Sequence, residues 1–78
     1  MKMRVMLNRV WMSSYGDGST FSVVVKNAEE RNVVRALESS GYVRDVMPLV
    51  NGKRMTGKIT DLGRDYFRKE FGPPPIRR

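Results

Sequence analysis

The dipeptide Asn51-Gly52 constrains this chain most, because it is the preferred centre of a two-residue type I′ turn and lies between two arms of strand-like composition. Residues 42–50 and 53–59 then fold back on one another as a hairpin. In that register Val50 pairs with Lys53, Leu49 with Arg54, Met47 with Thr56, and Asp45 with Lys58. One face carries Val46, Val50, Met55 and Ile59 and is expected to pack on the domain. The other carries Arg54 and Lys58 beside Val43, Met47 and Leu49. Pro48 falls in a hydrogen-bonding pair opposite Met55, where it has no N–H to give. The strand is therefore expected to be an edge, bulged, or shifted in register there.

A helix is expected on each side of the hairpin. Asn27 caps the first, with Glu30 at the third helical position in an Asn-x-x-Glu variant of the capping box. Gly41 follows its last turn as a C′ residue, and Tyr42 sits where a Schellman motif meets Leu37. Val33, Val34 and Leu37 share one face of this helix, and Arg31, Arg35 and Glu38 another. Thr60 caps the closing helix with Asp61 in its first turn. Leu62, Tyr66, Phe67 and Phe71 form its apolar arc, and Gly72 with Pro73-Pro74-Pro75 stops it.

The N-terminal segment, residues 2–12, fits two periods. Met3, Val5 and Leu7 alternate as in a strand, whereas Met3, Met6, Leu7 and Val10 line one face of a helix. Tyr15-Gly16-Asp17-Gly18-Ser19 is turn chemistry and Thr20 to Lys26 a β-branched run, so a long hairpin is the expected result. The fold expected is a small α+β domain of ββαββα order over residues 1–72, followed by a Pro-rich basic tail, residues 73–78.

At 78 residues the core is thin, since a chain of this size buries only about 60% of its unfolded surface, and a homodimer would enlarge it. Cysteine and histidine are both absent, which excludes disulfides, thiolate zinc sites and the commonest general base. Each acidic residue has a capping or pairing task, and the serines have no histidine to activate them. Gly16-Asp17-Gly18 lacks the rest of a phosphate or calcium loop. No enzyme, metal or cofactor is expected. No apolar run is long enough for a membrane span, and the start of the chain lacks the apolar stretch of a signal peptide, so a cytoplasmic protein is expected.

Fifteen Lys and Arg against eight Asp and Glu leave a net charge of +7. With a pI near 10.4, the chain favours polyanionic partners, nucleic acid first and an acidic protein or anionic membrane surface second. Lys53 and Arg54 sit at the hairpin tip, with Lys58 on the same arm and Arg44 on its partner, where they could hold phosphate. Arg31, Asn32 and Arg35 lie on the exposed side of the first capped helix and suit base edges. Charge blunting of a strand edge and a solvated helix face account for the same residues about equally well. Trp11, Tyr15 and Phe21 are aromatics that could stack bases, although core or dimer contact is the commoner use.

From about Glu30 to Phe71 the chain resembles the second half of winged helix-turn-helix domains. Val33-Val34-Arg35-Ala36-Leu37-Glu38-Ser39-Ser40-Gly41-Tyr42-Val43 looks like a recognition helix with the Gly-aromatic-aliphatic exit of that family. Ile59-Thr60-Asp61-Leu62-Gly63-Arg64-Asp65-Tyr66-Phe67 is similar to the aliphatic-Thr-x-x-Gly step into the closing helix of multidrug-resistance-type repressors. The resemblance implies a non-catalytic DNA-binding protein of the small transcriptional-regulator kind, with duplex DNA as partner. The helix bearing Arg31 and Arg35 would enter the major groove, and the wing bearing Lys53 and Arg54 would touch the minor groove or flanking phosphates. The first half departs from the pattern, which places two helices before the recognition helix. A protein-binding adaptor or inhibitor, whose basic face docks an acidic partner, is the alternative.

Overall fold

The computed structural model of the protein describes residues 3–14 and 18–74. Along them run α1 (Met3–Met12), β1 (Thr20–Val24), α2 (Ala28–Ser39), β2 (Val43–Leu49), β3 (Arg54–Ile59) and α3 (Asp61–Phe71). The fold is a small α+β domain whose three-stranded antiparallel sheet has the order β1-β3-β2. Tyr15, most of the glycine-rich turn and the last four residues of the tail lie outside the described residues.

The first element corrects the expected ββαββα order, because residues 3–12 form a helix and β1 pairs with β3. Met6, Leu7, Val10 and Trp11 are buried along one side of α1. A strand would send alternate members of that set to opposite faces, exposing half of them. Trp11 decides the matter energetically. Its ring stacks on Phe67 with centroids 5.4 Å apart, and its indole N–H donates to the Gly72 carbonyl at 3.0 Å. Both partners lie far along the chain, at the opposite end of the domain in sequence. Trp11 and Phe21 are fully buried, which removes both from any base-stacking surface.

All three helices cover one face of the sheet. Phe21, Val23 and Val25 point inward beside Val43, Met55 and Ile59, and meet Val33, Val34, Leu37 and Phe67 from the helices. Gly57, opposite Phe21, leaves room for that ring, since a Cβ there would stand 2.8 Å from it. Among the described residues no helix is long and apolar enough to cross a membrane.

The hairpin keeps the expected register near its tip and loses it below. Leu49 pairs with Arg54 and Met47 with Thr56, but Lys58 pairs with Arg44 instead of Asp45. A β-bulge between Arg44 and Met47 inserts the extra residue, with Asp45 in the left-handed region at φ 54°. One added residue reverses every inward and outward assignment beyond it. Val43 is therefore core, 1% exposed, and not part of the outer face. Val50 is 66% exposed because the loop, residues 50–53, is one residue longer on each side than a two-residue turn.

Pro48 fits its place without strain. The Val25 N–H donates to Lys53 and the Ile59 N–H to Ser19, so the odd-numbered residues of β3 bond toward β1. Met55 therefore has no ladder bond to offer β2, and Pro48 opposite it loses none. The strand is also an edge, as its proline requires.

Candidate nucleic-acid interface

Local chemistry positions α2. The Asn27 side chain accepts from the Glu30 N–H at 2.9 Å, and the Glu30 carboxylate accepts from the Lys26 N–H at 2.8 Å. The reciprocal bond thus lands one residue before the cap, a variation on the usual box. Arg9 closes this corner, giving one N–H to Glu30 at 2.9 Å and another to the Val24 carbonyl at 2.6 Å. Glu30 is buried, and its carboxyl lies below the ordinary value, chiefly through the Lys26 hydrogen bond and with Arg9 helping against the opposing effect of burial. At the far end Gly41, at φ 83°, allows the Tyr42 N–H to reach the Leu37 carbonyl and the Gly41 N–H to reach Glu38.

The exposed side of α2 meets the hairpin tip through one side chain. Arg31 donates to the Gly52 carbonyl at 3.3 Å, laying its guanidinium against the turn. Lys53 is exposed beside that turn, and its side-chain ammonium has no hydrogen-bond or ion-pair partner among the described residues. Arg35 lies one helical turn beyond Arg31, half exposed, and is paired with Glu38 at 3.1 Å. Asn32 takes the other flank of α2, lining a shallow cleft with Met3, Glu29 and Val33. The structure thus brings Arg31 and Lys53 to one place, sets Arg35 next to them, and turns Asn32 away.

Arg44, Arg54 and Lys58 form a second group on the outer face of the sheet, the face no helix covers. The two registers arrange that face in rungs. Val24, Arg54 and Leu49 form the rung nearest the tip, Ser22, Thr56 and Met47 the middle one, and Thr20, Lys58 and Arg44 the last. Arg54 is half-buried and spends its guanidinium on Ser22, donating to the hydroxyl at 2.9 Å. Asp45, thrown out by the bulge, lies 3.7 Å from Arg44 and 3.9 Å from Lys58. These exposed pairs are loose and contribute little to stability.

Of the seven residues singled out in the sequence, Arg31, Arg35 and Lys53 therefore lie by α2 and the hairpin tip, Arg44, Arg54 and Lys58 on the outer face of the sheet, and Asn32 on neither. Sequence reasoning missed the contribution of β1 to the outer face, since Thr20, Ser22 and Val24 were expected to pair with residues 2–12. The alternating burial of Thr20 to Val24 was the available signal, but it does not name the partner strand. No protein-family model matches the chain, and neither does any curated protein or solved structure.

Proposed function

We propose that this chain is a non-catalytic DNA-binding protein, a small transcriptional regulator built as a truncated winged helix. One observation carries the reading: the Arg31 guanidinium rests on the Gly52 carbonyl, so α2 and the hairpin tip act as one unit. That unit presents Arg31, Arg35 and Lys53 together. The order of elements supports it, because α1 supplies one of the two helices that a winged domain places before its recognition helix. The missing second helix is why the fold is described as truncated.

The mechanism is positioning followed by charge neutralisation. Glu30, Asn27 and Arg9 hold the start of α2, and the turn at Gly52 holds its flank. Arg35 and Arg31 then face the duplex while Lys53 follows the backbone beside the hairpin. About three phosphate contacts predict a log–log salt dependence with a slope near −3. A salt titration by fluorescence anisotropy against duplex and single-stranded DNA tests this. Tighter binding to duplex with that slope supports the reading, and no binding to either at low salt removes it.

A further inference from the structure

The outer face of the sheet is a surface in its own right. Val24 at 40%, Leu49 at 44% and Met47 at 60% exposure leave apolar area open to water on a domain with little area to spare. They lie toward the hairpin tip, whereas Lys58 and Arg44 occupy the rung at the other end. An open cleft of ≈ 360 Å³ runs between Met47, Thr56, Lys58 and Thr20. Val24 and Leu49 thus flank Arg54 at one end of the face, and Arg44 and Lys58, with Asp45 beside them, hold the other.

We infer that this face docks an acidic amphipathic segment of another protein, a helix with apolar side chains toward one end and carboxylates toward the other. Charge selects that occupant. A second copy of the same face would bring Arg44, Arg54 and Lys58 against their own duplicates with only Asp45 to offset them. A nucleic-acid single strand would need aromatic rings to stack on, and none points outward from the three strands among the described residues. An added strand has no free edge to join. In β2 the bulge and Pro48 interrupt it, and in β1 guanidinium groups of Arg9 and Arg54 already bond the Val24 and Ser22 carbonyls. A helix laid across the face is the packing that remains, mirroring what α2 does on the inner side.

This inference stands apart from the DNA reading, since it uses the layer opposite α2. The test uses the ¹⁵N-labelled full chain and a synthetic helical peptide of about 18 residues, roughly 27 Å long, whose one face carries Leu toward one end and Glu toward the other. Two control peptides replace every Glu by Lys or every Leu by Ser. Amide shifts at Ser22, Met47, Thr56 and Lys58 are expected with the Leu/Glu peptide. Its affinity is expected to exceed that of either control about tenfold. The double variant Met47→Ser, Leu49→Ser and the single variant Lys58→Glu change exposed side chains only, and each is expected to weaken binding about fivefold with an unchanged Tm. Equal binding of the Ser/Glu peptide would reduce the effect to bulk charge attraction and overturn the inference. So would shifts centred on α2, the absence of any shift, or displacement of the peptide by duplex DNA.

Discussion

Gly63 of α3 lies directly against the backbone carbonyl of Tyr42, so closely that a Cβ built on it would overlap the carbonyl oxygen. The same carbonyl accepts the Thr60 N–H at 3.0 Å. The Thr60 hydroxyl donates to the Gly41 carbonyl at 2.6 Å and accepts from the Gly63 N–H at 3.0 Å. The Thr-x-x-Gly step is therefore a packing device that starts α3 and seats it against the exit of α2. It also explains why Leu62 is exposed at 58%, since the helix turns its glycine inward there. Gly63→Ala is expected to destabilise the protein by about 3 kcal/mol, despite the roughly 1 kcal/mol that alanine gains in helix propensity. Urea unfolding measures the change, with Leu62→Ala, on the exposed side of the same turn, as the control expected to shift stability little.

Glu30 makes stability depend on pH in a definite direction. Its folded carboxyl lies below the ordinary value of 4.5, so the ionised form is favoured by folding. The stabilisation is complete above that ordinary value and is lost as pH falls through the lower, folded one. Glu30→Gln keeps an acceptor for the Lys26 N–H but removes the charge facing Arg9. Thermal melts from neutral to acid pH are expected to show the variant less stable at neutral pH and the two proteins converging as acid is added. A constant gap between the two curves would assign the stability of this corner to something other than the carboxylate.

The parts of the fold written locally were readable in the sequence. Asn27 and Glu30 mark the start of α2, Gly41 its end and Thr60 the start of α3, because a cap acts within a few residues of itself. Residues 3–12 were not readable, since their apolar positions satisfy both periods. The choice is made by Phe67 and Gly72, which receive Trp11 from across the chain. The pairing of β1 with β3 is equally non-local. Pro48 allowed for a bulge or register shift in this strand but did not place it at Asp45, where it decides that Val43 is core and that Lys58 faces Arg44. For the candidate site, helix periodicity placed Arg31 and Arg35 on one flank correctly. It could not show Arg54 turning back onto Ser22, a residue on a strand not expected beside it.

Val50 occupies a conformation that a β-branched residue rarely adopts, with φ 55° at an exposed position in the turn. Asn51 shares that φ but tolerates it, because its side chain suits the left-handed region. Replacing Val50 by Asn is expected to stabilise the protein by about 1 kcal/mol, the usual cost of one left-handed non-glycine residue. Chemical denaturation of the two proteins in parallel measures it. A loss of stability instead would mean that the Val50 side chain packs in a way its exposure does not indicate.

Arg31 is expected to show two separable roles. Its hydrogen bond to Gly52 is exposed and long at 3.3 Å, so removing it shifts global stability by no more than about 0.5 kcal/mol. Locally the loss is concentrated at the turn, whose Gly52 and Lys53 N–H groups donate to Leu49 and Val50. In Arg31→Ala, hydrogen exchange at those two amides is expected to rise about twofold. The DNA salt slope should flatten by roughly one unit as a phosphate contact disappears. Arg31→Lys restores the charge without the planar fork, so the slope is expected to recover while exchange at the turn remains fast. Both readouts moving together in the lysine variant would mean that Arg31 serves only the hairpin turn, and a slope unchanged in the alanine variant would remove it from the interface.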